Sequence, residues 1–164
     1  MSLINIVEYQ DHHQPYFEKF NRDWIEKYFI MEPIDEFVLT DPEEALVKPG
    51  GAILMATYDG EVAGTVALRK VDDTTYEFTK MAVVNKFQRR GIAEALSYAS
   101  FKKAKELGAD KVILYSNSRL TPAIRLYEKF GFKHLPSGIG EYKRSDVKME
   151  ISVSEIEIPT LNLF

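Results

Sequence analysis

The sequence predicts an α/β domain built on a mixed, twisted β-sheet flanked by helices. Three observations predict it. Strand-like and helix-like segments interleave in the order β, α, α, then three strands, α, β, α, β, β. An Asp59-Gly60 pair between two apolar runs marks a hairpin within that order, so the sheet holds antiparallel neighbours. Lys111–Ser116 (KVILYS) is short and nearly continuously apolar, the composition of a buried strand, and lies between two helical segments.

The elements follow in order. Leu3–Tyr9 is rich in β-branched residues and reads as a strand. Phe17, Phe20, Trp24 and Tyr28 fall on one helical face between Tyr16 and Tyr28. A short helix follows, with Asp41 as cap, Pro42 at its first position and Glu44 completing a capping box; Pro49-Gly50-Gly51 ends it. Ile53–Tyr58 and Val62–Arg69 are the hairpin strands, and Thr75–Val84 is a longer one. Gly91 opens a helix whose apolar stripe is Ile92, Ala95, Leu96, Ala99 and Leu107, with Gly108 as its stop. Thr121 is the expected cap of a helix with Pro122 in first position, Ala123, Leu126, Tyr127 and Phe130 on its apolar face, and Gly131 at its end. Phe132–His134 and Val147–Val153 are a closing strand pair joined by a glycine-containing loop at Pro136–Ser145. The residues after them carry Ile156, Ile158, Leu161, Leu163 and Phe164, an apolar tail suited to packing on the body or on a second copy.

At 164 residues the chain is expected to be one domain, 1–164, with 153–164 as a C-terminal tail, and large enough to bury a core without staples. It has no cysteine, which excludes disulfides, zinc–thiolate sites and a cysteine nucleophile, and which fits a reducing, cytoplasmic setting. The net charge of −4 speaks against a nucleic-acid partner. No apolar run reaches the roughly 20 residues a bilayer span needs, and Met1–Tyr9 lacks the pattern of a signal peptide. His12, His13 and His134 form no metal-ligand pattern, so no metal is expected.

The segment richest in chemical information is the turn Gln88-Arg89-Arg90-Gly91-Ile92-Ala93 between a strand and a helix. The first amides of a helix lack intrahelical acceptors and, with the helix dipole, form an anion site. Gly91 and Ala93 keep side chains away from it, and Arg89 and Arg90 add positive charge. The same residues also suit a plain helix start with solvated arginines. A dinucleotide turn wants more glycines, and a P-loop wants Lys-Ser/Thr after its last glycine; neither is present.

This turn resembles the Q/R-x-x-G-x-G/A acetyl-CoA signature of the GNAT superfamily of N-acyltransferases. Pro122–Phe132 (PAIRLYEKFGF) resembles that family's AxxLYxxxGF segment, at the family's usual separation and with a strand between the two. The resemblance covers Ile53 to Phe132 well and the remainder in outline. It implies a sheet in which the strand before the signature splays from the next parallel strand. It further implies pantetheine laid along Met81, Ala82 and Val83, and a pyrophosphate on Gln88, Arg89, Arg90, Gly91, Ile92 and Ala93. Acetyl-CoA would be the co-substrate and a primary amine of a small molecule or a protein the acceptor, on a monomer or a homodimer. The alternative is a non-catalytic acyl-CoA-binding module that acts through a partner.

The expected chemistry sets the roles. An alkyl amine with a pKa near 10.4 is deprotonated roughly once in a thousand molecules at neutral pH, a deficit of about 4 kcal/mol. Glu77 alternates with Thr79, Met81 and Val83, so it is expected on their strand face, as a base acting directly or through water; a salt-bridged carboxylate is the competing expectation. The resemblance makes the Val83 amide the donor to the thioester oxygen and Tyr127 the proton donor to the leaving thiolate. Tyr127 also suits simple packing. Relatives often carry Asn where Leu120 stands; Asn117 is the substitute expected at the pantetheine arm, or else a turn residue. The aromatic set of the first helix reads as core that also shapes the acceptor pocket. Asp35, Glu36, Asp41, Glu43 and Glu44 would attract a cationic acceptor or form a solvated face.

Overall fold

The computed structural model describes residues 3–136 and 142–159. Its elements are β1 (Ile4–Glu8), α1 (Gln14–Tyr28), α2 (Pro33–Thr40), β2 (Ala52–Tyr58), β3 (Glu61–Lys70), β4 (Thr75–Val83), α3 (Ile92–Glu106), β5 (Lys111–Ser116), α4 (Thr121–Phe130), β6 (Lys133–Leu135) and β7 (Val147–Ser152). The strands form one sheet in the order β1-β2-β3-β4-β5-β7-β6. Neighbours are antiparallel except β4 and β5, which are parallel. This is the mixed sheet the sequence predicts.

Two corrections concern the segment after α1. A helix at Pro33–Thr40 was not expected; Pro33 starts it and the Glu32 and Asp35 side chains close its first turn reciprocally. Asp41 therefore ends that helix rather than capping the next, and Pro42 leads into a single π-type turn at Glu43–Val47. At α4 the cap is Leu120, which moves Thr121 and Pro122 one position inward.

Side-chain alternation divides the core between the two faces. Leu54, Val66, Leu68, Tyr76, Phe78 and Leu114 pack under α3 and α4 with Leu96, Phe101 and Tyr127. Ile53, Met55 and Ala67 point to the other face and meet Phe17, Ile25 and Leu39 of α1 and α2. Gly64 permits the close seat of α3 on β3: a Cβ there would lie 3.0 Å from the Ala82 carbonyl oxygen and 3.1 Å from Leu96 Cδ1. Of the tail, Ile156 and Ile158 pack against the larger cluster. Leu161, Leu163 and Phe164, and part of the Pro136–Ser145 loop, lie outside the described residues.

β4 is the strand that positions everything else. Its parallel pairing with β5 covers only Thr75–Lys111, Tyr76–Val112 and Glu77–Ile113. Beyond Glu77 the strands separate, while β4 stays paired with β3 up to Val83 and β5 stays paired with β7 up to Ser116. The splay predicted from the resemblance is therefore present. A bulge accompanies it: Thr65 opposes Ala82 but Ala67 opposes Thr79, so β4 holds one residue more than β3. Lys80, in the bulge, adopts φ +55°, a conformation costly for a side chain of its size.

Candidate active site

The splay opens a cavity of about 730 Å³ that extends from α1 to the turn before α3. One end is walled by Met81, Val83, Gln88, Asn117 and Tyr127, the other by Phe20, Trp24, Lys80, Tyr142 and Arg144. Of the residues predicted to bind the coenzyme, Met81, Ala82, Val83, Gln88 and Asn117 line this cavity, while Arg89, Arg90, Gly91, Ile92 and Ala93 are not on its wall.

At the head of α3, Gly91 has φ +81°, a left-handed conformation that glycine adopts without penalty. Nothing lies within 4 Å of where its Cβ would be, so the corner is open. The first helical bond runs from the Ala95 amide to the Gly91 carbonyl at 3.0 Å. The amides of Ile92, Ala93 and Glu94 thus precede the ladder and form the positive end of a fifteen-residue helix. Arg89 and Arg90 flank it; Arg90 stacks over the Tyr58 ring at 5.1 Å. Gln88 folds back, donating to the Val83 carbonyl at 3.4 Å and to Asn85 Oδ1 at 3.1 Å, which fixes the turn against the strand end.

Val83 lies opposite Gly64, and Val84 donates to the Ala63 carbonyl at 2.9 Å. In an antiparallel ladder bonded and non-bonded pairs alternate, so the Val83 N–H points away from β3 toward the open edge of β4. Across the cavity, Tyr127 on α4 packs edge-on to Phe78, with centroids 5.7 Å apart. Burial pushes its hydroxyl up to about 12, so it stays protonated across the neutral range. Asn117 lines the cavity with both ends of its amide bonded: Nδ2 donates to the Arg144 carbonyl at 2.6 Å and Oδ1 accepts from the Arg119 amide at 2.9 Å.

Glu77 does not share a face with Met81 and Val83. The bulge resets the alternation, so Met81 and Val83 pack toward α3 while Glu77 faces the α1 and α2 side. There it is almost fully buried and accepts from Arg69 Nε at 2.8 Å. It is not among the cavity-lining residues.

The other end of the cavity contains a buried ionic group that was not expected. Lys80 Nζ donates to Asp35 Oδ1 at 3.0 Å and to the Tyr142 hydroxyl at 3.3 Å. Arg144 grips the same carboxylate bidentately at 2.6 and 2.8 Å and reaches Glu32 Oε2 at 3.1 Å. Burial would raise the Asp35 carboxyl, but the Arg144 hydrogen bonds and the Lys80 charge outweigh it and hold the group at about 2. Burial pulls Lys80 below the ordinary lysine value, and Asp35 opposes that pull. Tyr142 lies under both cations, with Lys80 Nζ 4.4 Å and the Arg144 guanidinium 4.6 Å from its ring centroid. Asp35 is thus neither a solvated face nor free to attract a cation. One signal for the bulge was visible: the apolar positions run Tyr76, Phe78 and then Met81, Val83, a change of parity that requires an extra residue. Nothing local marks Asp35, Lys80 and Arg144 as partners.

Among the described residues no group of His, Asp or Glu is arranged to hold a metal ion, and no helix is long and apolar enough to cross a membrane.

The model of the acetyltransferase (GNAT) family matches residues 7–132. The N-acetylaspartate synthetase of Rattus norvegicus is 34% identical over 99 residues, which are 59% of this chain and 33% of that protein. The chain thus matches about a third of that relative's length. The uncharacterised N-acetyltransferase YjgM of Escherichia coli is 30% identical over 57% of this chain and 58% of its own. Among solved structures, a GNAT-family acetyltransferase of Staphylococcus aureus superposes with a TM-score of 0.81 at 20% identity, covering 92% of this chain and 99% of that one. The acetyltransferase yncA of Salmonella typhimurium, solved with its cofactor acetyl-CoA, gives 0.73 at 18% identity over 98% of this chain and 100% of that one. With its splayed strand pair and open helix head, the chain belongs to the GNAT family of acetyltransferases.

Proposed function

We propose that this chain is an N-acetyltransferase that moves the acetyl group of acetyl-CoA to a primary amine by direct attack in a ternary complex. The observation that carries the reading is the splay of β4 from β5, which ends at the open head of α3. A free strand edge thus leads to a helix head suited to an anion, as a coenzyme with a diphosphate and an amide-bearing arm requires. The pantetheine arm would run along Met81, Ala82 and Val83, and the diphosphate would rest on the amides and arginines of 88–93. The Salmonella typhimurium structure of similar fold carries acetyl-CoA, in keeping with this assignment.

In the proposed reaction the amine nitrogen attacks the thioester carbonyl carbon. The carbonyl oxygen gains charge and takes a hydrogen bond from the Val83 N–H, worth about 3 kcal/mol in comparable sites. The carbon–sulfur bond then breaks while the Tyr127 hydroxyl donates a hydrogen bond to the developing thiolate. A thiol pKa near 8.5 lies well below a buried tyrosine's, so Tyr127 keeps its proton and the departing thiolate takes one from water. Glu77, bonded to Arg69 and off the cavity wall, acts at most through a chain of water. The amine itself loses its proton to water, so the rate rises with pH toward the amine's own pKa.

Thiol release from acetyl-CoA in the presence of an amine panel tests the reading. Amine-dependent release supports it. Coenzyme binding with no release for any amine would favour a binding module instead.

A further inference from the structure

The acceptor end of the cavity has its charges in two layers. Lys80 and Arg144 are on the cavity wall, with Lys19 and Lys27 along α1. Asp35 and Glu32, which bind Lys80 and Arg144, are absent from that wall and stand behind them. The ion pairs therefore turn their positive ends toward the cavity. Asp23 is the one acid among the described lining residues, and it is bonded to Lys19 at 3.0 Å. Asp35, Glu36, Asp41, Glu43 and Glu44 are all off the wall.

The donors point the same way. An ammonium has three N–H groups. Asp35 and the Tyr142 hydroxyl take two from Lys80, and the third has no partner among the described residues, although the side chain is almost fully buried. Lys80 is on the cavity wall, and a buried donor beside a cavity calls for an oxygen from whatever enters it. Lys80 also adjoins Met81 in the chain, so a group bound at Lys80 sits close to the proposed thioester track. The strained bulge, with φ +55° at Lys80, is what turns this side chain to the acceptor end.

We infer that the acceptor carries a carboxylate a short distance from its amine, as a free amino acid does, and that Lys80, Tyr142 and Arg144 recognise that carboxylate. The inference rests on the N-acetyltransferase reading and deepens it. The carboxylate would accept the third Lys80 N–H, beside the Tyr142 hydroxyl, which also bonds Thr79, with the Arg144 guanidinium behind them. A polyamine would meet the positive ends of two ion pairs with no unpaired acid among the described lining residues to receive it, and so is disfavoured.

The test compares matched acceptors on the unaltered protein by thiol release: amino acids, their carboxamides, the corresponding decarboxylated amines, and spermidine. The expected result is a kcat/KM for free amino acids at least about tenfold above that for their carboxamides, since the site's donors go unmet by the latter. Lys80→Met, which leaves Asp35 bonded to Arg144, is expected to raise the KM for the preferred amino acid about tenfold or more and to erase the preference over the carboxamide. Lys80→Arg should restore part of it, and the KM for acetyl-CoA should be unchanged in both. Equal use of carboxamides or better use of spermidine overturns the inference and leaves the transferase reading standing. A Lys80→Met protein that keeps the preference overturns it as well. Thiol release by no amine at all, with acetyl-CoA still bound, overturns both readings together.

Discussion

The two faces of the sheet differ in what fills them. Under α3 and α4, Phe78, Leu96, Phe101, Leu114, Tyr127 and Phe132 form a continuous apolar cluster. Under α1 and α2 a smaller apolar cluster around Phe17, Leu39 and Met55 gives way, beside the cavity, to the buried ions Lys80, Asp35 and Arg144. The first arrangement gains stability from area removed from water. The second gains little net stability, because desolvating three charges nearly cancels their attraction. What the second face obtains is a fixed set of donors at one end of the cavity. On the proposed reading, the scaffold lies on one side of β4 and acceptor selectivity on the other.

The most drastic way to break the comparison is to remove one member from each face. Phe101→Ala should cost about 3–5 kcal/mol through lost contacts and a cavity. Asp35→Ala should cost a similar amount, about 3–5 kcal/mol, because it leaves Lys80 buried without its carboxylate and Arg144 with Glu32 alone. Urea unfolding measures both. The two should part in kinetics at a temperature where each is folded: Asp35→Ala raises the KM for the acceptor, and Phe101→Ala leaves it near its original value.

Tyr127 belongs to the apolar face yet reaches the cavity, and so tests whether that face is scaffold alone. Tyr127→Phe keeps the packing on Phe78 and removes only the hydroxyl. Turnover should fall about 10- to 100-fold, roughly 1.4–2.7 kcal/mol in barrier, with little change in the affinity for acetyl-CoA. Unchanged turnover would return Tyr127 to packing.

The ionic face also predicts a pH dependence that the apolar face lacks. The Asp35 carboxyl is held at about 2 in the folded protein against 3.8 for the free group. A depressed carboxyl contributes stability that is complete above the unfolded value and is lost as pH falls through the folded one. Stability should therefore drop by on the order of 2 kcal/mol between about pH 4 and pH 2 on account of this group. Denaturant midpoints measured across that window in the original protein and in Asp35→Asn check it, since the variant should lose that part of the slope.

What was legible in the sequence follows the same division. The hairpin at Asp59-Gly60, the apolar stripe of α3, the buried strand Lys111–Ser116 and the glycine turn before α3 are all local patterns, fixed by periodicity and by the few residues that tolerate a turn. The ionic face is not local. Asp35 and Lys80 are 45 positions apart and Arg144 is a further 64 along, and each alone reads as an ordinary surface charge. The expectation that Glu77 shares a face with Met81 and Val83 failed at the bulge, where strict alternation stopped holding, although the parity change from Phe78 to Met81 was there to be read. The helix Pro33–Thr40 was missed because its eight residues give little more than two turns over which a period can show.

Calorimetric titration with acetyl-CoA tests the central claim most directly, because the claim is that the open edge of β4 and the head of α3 form one coenzyme site. The account predicts saturable binding of one acetyl-CoA per chain that weakens when Gly91 is replaced by Val, a residue for which φ +81° is strained and whose side chain would occupy the open corner. The absence of binding heat at any temperature tried, or equal affinity in the Gly91→Val protein, would contradict it.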